Sequence, residues 1–341
     1  MSRKENSLSS TRRAGLDLCD ATVEDFCSRG LLTVTPQVLE RLAEFRRNLE
    51  SHKLRRFAAE VSALHARFAT GIREGDVTAE VMTNRLAQLQ FASRKLRALM
   101  DDPTSETHEI EDLAGKTWRD ADLELHEGVL LVEMAWESAR LEEGFRVDSS
   151  YFLARGGEIF CELKIIPLNI RFKIDDSLKP QRPDPRIYER VGIFPGDTPH
   201  RIKLLNAGSE PAPPHEMIVG SLDGAPEDIG SLQRRFLDRK KRPFPPVVFP
   251  LFLSRPLVQY DAGRWWIVGR DGHRLPATPP PGADRRPAPR ACFDAFVEMA
   301  LTSPIEGLLL LLIEDADRIA AAPVGAVTPD AVIRFGLDAS V

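Results

Sequence analysis

Asp101-Asp102-Pro103-Thr104-Ser105-Glu106-Thr107-His108-Glu109-Ile110-Glu111-Asp112 carries six acids, Asp101, Asp102, Glu106, Glu109, Glu111 and Asp112, and no lysine or arginine. Like charges at this density repel and stay in water, so the stretch reads as a solvated linker. The apolar period changes across it. On its N-terminal side Val38, Leu42, Phe45 and Leu49, then Phe57, Val61, Leu64 and Phe68, recur every three or four residues, residues 71–76 interrupt them, and Met82, Leu86, Leu89, Leu96 and Met100 resume. That spacing places them on one helical stripe. Thr35 followed by Pro36 suits a helix start, because threonine caps orphan amides and proline has its φ already set. Residues 35–115 are therefore expected to form an antiparallel helical pair or bundle with its acidic linker.

On the C-terminal side the pattern is that of strands. Residues 123–125 and 129–136 flank His126-Glu127-Gly128 like a hairpin, and residues 151–153 and 159–165 flank Arg155-Gly156-Gly157-Glu158 like a second. Leu168, Ile170, Phe172 and Ile174 alternate with Asn169, Arg171 and Lys173, the clearest half-buried strand in the chain. Prolines then crowd residues 175–226, which predicts a long loop region. A short helix is expected through Ile229, Leu232 and Phe236. Strands follow at 247–253, 257–260 and 265–268, then a Pro/Gly/Ala linker at 276–289, a helix at 291–301, and a strand pair at 308–313 and 319–327. The expected fold is α+β: a segment, 1–34, disordered over its first ten residues, then the helical module, then a β-rich module, 116–341, of short antiparallel strands with long Pro-rich loops.

A chain of 341 residues is long enough for two modules and a substantial core, and its net charge of −5 gives no global attraction to a polyanion. Cys19, Cys27, Cys161 and Cys292 include no Cys-x-x-Cys pair, residues 1–15 lack the apolar core of a signal peptide, and the longest apolar run, 308–313, is far below the roughly 18 residues a bilayer span needs. A cytoplasmic protein with reduced thiols is expected.

Chemistry-bearing motifs break down on inspection. Gly115-Lys116-Thr117 resembles the end of a phosphate-binding loop, yet Ile110 stands where the first glycine belongs. The dipeptides at His108, His126 and His215 are each followed by glutamate, but the second zinc-binding histidine is replaced by Asp112, Leu130 and Val219. Cys161 is in phase with Ile159 and Leu163 and reads as a small buried hydrophobe. The acid pairs Glu142-Glu143 and Asp175-Asp176 read as solvated. No catalytic residue, cofactor ligand or metal ligand is assigned. Two features are candidate interaction residues: the basic run Arg234, Arg235, Arg239, Lys240, Lys241 and Arg242, opposed only by Asp238, and the pair Trp265 and Trp266, which strand alternation sends to opposite faces.

The run Arg264-Trp265-Trp266-Ile267-Val268-Gly269-Arg270-Asp271-Gly272-His273-Arg274-Leu275-Pro276 resembles the Trp-rich strand, Asp-Gly turn and Leu-Pro ending in the C-terminal region of bacterial SWIM zinc-finger proteins. Residues 236–253 and 157–172, with Pro167, resemble the segments that accompany it, so the likeness extends over residues 120–330. The finger itself is missing: Cys-x-Cys followed by Cys-x-His does not occur, and no zinc ligand carries over. The resemblance implies a non-enzymatic accessory subunit or adaptor working beside a MoxR-type AAA+ ATPase and a von Willebrand factor A protein. The alternatives are a nucleic-acid-associated protein using residues 234–242 and an enzyme whose residues are dispersed across the fold.

Overall fold

The computed structural model describes residues 3–29, 35–74, 79–141, 145–167, 186–196, 199–206, 215–245, 248–282, 285–315 and 318–336. The fold is α+β, helices first and a β-rich region after them. It comprises two compact units, residues 1–119 with 240–245, and residues 120–239 with 246–341. No helix among the described residues is long and apolar enough to cross a membrane.

The helical unit contains α1 (Arg3–Arg29), α2 (Pro36–Ser51), α3 (Arg55–Glu74), α4 (Ala79–Asp101) and α5 (Thr107–Ala114). Helix α1 starts at Arg3, within the ten residues expected to be disordered, and further along it Leu16, Cys19, Val23 and Phe26 recur once per turn and are buried in the common core. The apolar stripe expected to continue from Val38 to Phe68 is two helices, parted at Lys53, whose φ of 62° stops α2. The acidic stretch is also shorter than expected, since α5 takes up its second half and buries Leu113 and Ala114. Glu111 leaves solvent because the Arg12 guanidinium meets both its oxygens, at 2.9 and 2.8 Å. Gly115 ends α5 in the left-handed region, φ 84°, and a Cβ there would lie 2.4 Å from the Arg56 amide nitrogen. The Gly-Lys-Thr run is thus a helix C-cap.

The second unit runs β1 (Glu124–Leu141), β2 (Phe145–Leu153), β3 (Ile159–Pro167), β4 (Arg186–Ile193), β5 (His200–Asn206), α6 (His215–Ser221), α7 (Ile229–Lys240), β6 (Phe249–Ser254), β7 (Leu257–Asp261), β8 (Arg264–Val268), β9 (Arg274–Pro276), β10 (Arg285–Arg286), α8 (Pro289–Thr302), β11 (Gly307–Asp315), β12 (Arg318–Val327) and β13 (Val332–Arg334). The clear alternating stretch 168–174 and both acid pairs lie outside the described residues. The long loop expected over 175–226 is corrected, because Pro-free intervals within it form β4 and β5 and a further stretch forms α6.

Three layers build this unit. In the middle lies the sheet β13-β12-β11-β6. From β11, Leu308, Leu310 and Leu312 pack with Leu232 and Phe236 of α7 and Phe296 of α8, while Leu309 and Leu311 pack on the opposite side with Met134, Tyr151 and Leu153. That opposite layer is a closed barrel. Strand β1 pairs with β4 as far as Leu131 and with β2 from Val132 onward, and the ring closes in the order β1-β2-β3-β5-β4, antiparallel except for β3 with β5. This is the connectivity of the small OB-type barrels. The hairpin expected at His126-Glu127-Gly128 is instead part of one long strand: β1 pairs with β4 on both sides of Gly128, whose φ is 63°, and changes partner between Leu131 and Val132. Leu131, Phe152, Phe160, Tyr188, Val191 and Ile202 fill the interior.

The barrel and the middle sheet come into close contact at Gly325 of β12, where a Cβ would sit 2.1 Å from the Met134 carbonyl oxygen. Backbone cannot yield as a flexible side chain would. Gly325→Ala is expected to cost about 1–3 kcal/mol or more of unfolding free energy. A urea midpoint equal to wild type would show that the two layers do not meet there.

Candidate interaction site

Strands β7, β8 and β9 form a small ribbon on the second unit. Trp265 and Trp266 alternate across it. The Trp265 side chain packs on the core that α7 and α8 share with the middle sheet, and meets the Tyr260 ring at a tilt of 55°, 5.2 Å between ring centroids. Trp266 faces outward, with the Arg274 guanidinium 4.2 Å from its ring and its Nε1 donating to the Asp261 carbonyl at 3.4 Å. Arg274 also pairs with Asp261, at 3.3 Å. The outward indole is therefore held flat by a cation on its face.

The turn after β8 has a structural task that sequence reading missed. Asp271 accepts from the amides of Gly230 at 2.8 Å and Ile229 at 3.3 Å, capping α7 from a distant loop, and also from the His273 amide. Gly269 lets the turn come this close, since a Cβ there would lie 2.7 Å from the Ile229 nitrogen. Burial by itself raises the Asp271 carboxyl, but hydrogen bonds from Gly230, His273 and Ile229 outweigh it and hold the group below the usual carboxylate range.

The basic run crosses from one unit to the other. Helix α7 buries Ile229, Leu232 and Phe236, leaving Arg234 and Arg235 exposed, and lays Arg239 5.4 Å from the Phe249 ring. Lys240, Lys241 and Arg242 belong to the helical unit, where the segment is fixed by Phe244: its ring meets Phe57 edge-on at 5.0 Å and its carbonyl accepts from Arg56 at 3.1 Å. The chain passes between units inside the run.

The barrel adds a site that no local motif announces. At the end where the β2–β3 turn, the start of β5 and the chain after β4 converge, a cleft of about 890 Å³ opens. Its apolar wall includes Val129, Leu130, Phe160, Ile187, Ile193, Phe194 and Pro195, and its polar groups are Glu124, His126, Arg155, Glu158 and His200. Glu124 is paired with His126 at 3.2 Å, and the Arg201 guanidinium covers the Phe194 ring at 4.2 Å. A concave surface of this size, with an apolar wall and a few polar groups at a barrel mouth, has the dimensions and composition of ligand pockets in general. The described residues lining it carry no hydroxyl, thiol or amine. Elsewhere burial pushes the Cys19 and Cys161 thiols up to about 12 and Cys292 up to about 11, far from the thiolate needed for nucleophilic chemistry. Among the described residues no three His, Cys, Asp or Glu side chains gather to hold a metal ion.

No family model, curated protein or solved structure matches the chain.

Because the Asp271 carboxylate is held below its ordinary range, its contribution is complete above the unfolded-state value of 3.8 and is lost as pH falls through the folded one. Asp271→Ala is expected to lower stability by about 0.5–2 kcal/mol at neutral pH. The gap between wild type and variant should narrow in acid. A gap that stays constant down to pH 2 would show that the charged cap does not stabilise α7.

Proposed function

We propose that the protein is a non-enzymatic interaction subunit that holds a segment of a partner in the barrel-mouth cleft. The cleft carries this reading: it is large enough for several side chains, it offers apolar surface for affinity, and Arg155 and Glu158 place opposite charges on its rim for orientation. The polar groups of the lining, Glu124, His126, Arg155, Glu158 and His200, supply hydrogen-bonding partners of both charges to such a segment. The partner class comes from the resemblance of residues 264–276 to SWIM zinc-finger proteins, which points to a MoxR-type AAA+ ATPase or a von Willebrand factor A protein.

A second reading, single-stranded nucleic-acid binding, draws on the OB-type connectivity, since such barrels bind strands on the outer β2–β3 face. Two observations weigh against it. Tyr151, Leu153, Ile159 and Cys161 on that face are packed against Phe252, Leu309 and Leu311 of the middle sheet, and the basic run is divided between the units. Net charge of −5 adds no attraction.

Affinity purification of the full chain from its native host tests both readings. Wild type is expected to recover an AAA+ ATPase or a von Willebrand factor A protein, and the variant Arg155→Glu with Glu158→Lys at least tenfold less of it. Equal recovery by the variant would remove the cleft from the interaction. Recovery of neither class, with sub-micromolar oligonucleotide binding that weakens steeply from about 50 to 200 mM salt, would favour the second reading.

A further inference from the structure

Among the described residues, the ribbon is anchored along one edge and unpaired along the other. On the β9 side the Ala277 amide donates to the Trp265 carbonyl at 2.9 Å, the Thr278 amide donates to the Ala321 carbonyl at 3.0 Å, and Ala277 bridges to Ala321 of the middle sheet. On the other side β7 pairs only with β8, and no described strand lies beyond it.

The hairpin geometry fixes which backbone groups face that bare edge. Asp261 and Arg264 close a two-residue turn, Ala262 at φ 50° and Gly263 at φ 77°, the positive pair of a type I′ turn. The closing pair exchanges hydrogen bonds, and bonding alternates from there, so Gln259 with Trp266 and Leu257 with Val268 are bonded pairs. The Trp265 carbonyl, turned toward Ala277, agrees with this alternation. Val258 and Tyr260 therefore direct their amides and carbonyls outward.

Natural proteins blunt such an edge with lysine, proline or a bulge. Strand β7, Leu257-Val258-Gln259-Tyr260-Asp261, has none of these, and its ladder with β8 is regular. It instead exposes Leu257 at 62% and Tyr260 at 63%.

We propose that β7 is a self-association edge, pairing antiparallel with β7 of a second copy about a two-fold axis through Gln259. The strand is its own complement in this register. Val258 faces the partner's Tyr260, a favourable β-branched–aromatic pair, Gln259 faces the partner's Gln259, Leu257 faces the partner's Asp261, and no like charges oppose each other. Val258 and Tyr260 bring the required amides and carbonyls into bonding positions on both sides of the axis. The result is one continuous sheet of β9-β8-β7 from each copy. Five residues of edge bury well below the roughly 1,000 Å² of a tight interface, so the dimer is concentration-dependent. An extended segment of a different protein could use the same edge, but it would not require the symmetry at Gln259. This inference is independent of the cleft.

Gln259 is exposed, so changing it tests the axis without disturbing the core. Sedimentation velocity on the full chain is expected to show a monomer–dimer equilibrium for wild type. Gln259→Lys and Gln259→Glu, each placing like charges face to face, should be monomeric at the same concentrations, and mixing the two should restore a dimer. In a Cys27→Ser background, Gln259→Cys should form a disulfide-linked dimer under mild oxidation, since unbonded antiparallel pairs hold their Cα atoms about 4.5 Å apart, within disulfide range. A wild type that stays monomeric at the highest concentration, or a dimer indifferent to Gln259→Lys, would overturn the proposal.

Discussion

The β-rich unit depends on β11 being buried from both sides. Leu308, Leu309, Leu310, Leu311 and Leu312 are all at 0% exposure, which requires one apolar layer against the even-numbered side chains and another against the odd. Helices α7 and α8 meet the first requirement and the barrel meets the second. Each fully buried leucine contributes about 1.5–3 kcal/mol, so neither layer can leave without exposing a large part of what holds the unit together. The neighbours conform to this crowding. Strand β12 sets Ala320, Ala321 and Ala322 beside β11, and Gly307 leaves room for Phe252, whose ring atom would lie 2.1 Å from a Cβ at that position.

How much of this the sequence discloses follows the range of the interactions. Helical stripes are local, and Leu42, Phe45, Leu49, Leu86 and Leu96 are buried as their spacing demands. Helix α1 escapes such reading because a single apolar residue per turn, among Ser, Arg and Asp, does not stand out from a polar tail. The alternation that sends Trp265 inward and Trp266 outward is likewise local. Barrel closure is not, since Glu124 pairs with Ile193 across nearly seventy positions, and Gly128 looks like a turn until both partners of β1 are known. The cleft inherits that difficulty: Arg155 and Glu158 of the β2–β3 turn share a wall with Glu124 of β1 and His200 of β5 only once the ring closes. In the basic run, adjacency in sequence conceals a passage from one unit to the other.

The Trp-Trp and Arg-Asp-Gly-His stretch shows how a conspicuous motif divides its duties. Trp265 packs into the core, Asp271 caps α7, and Gly269 permits the approach. The proposed recognition surfaces are the outer edge of β7 and, apart from it, the barrel mouth. An interaction subunit with one surface for a partner and one for its own copy would act as a bivalent scaffold, gaining avidity from two modest contacts.

Native-state amide hydrogen exchange on the full chain tests the central role of β11 most directly. The amides of Leu308 to Leu312 should exchange only through global unfolding of the β-rich unit, with barrel interior residues such as Phe152 and Phe160 sharing the same opening free energy. Rapid exchange in β11, or a barrel that opens and closes while α7, α8 and the middle sheet remain protected, would contradict the account.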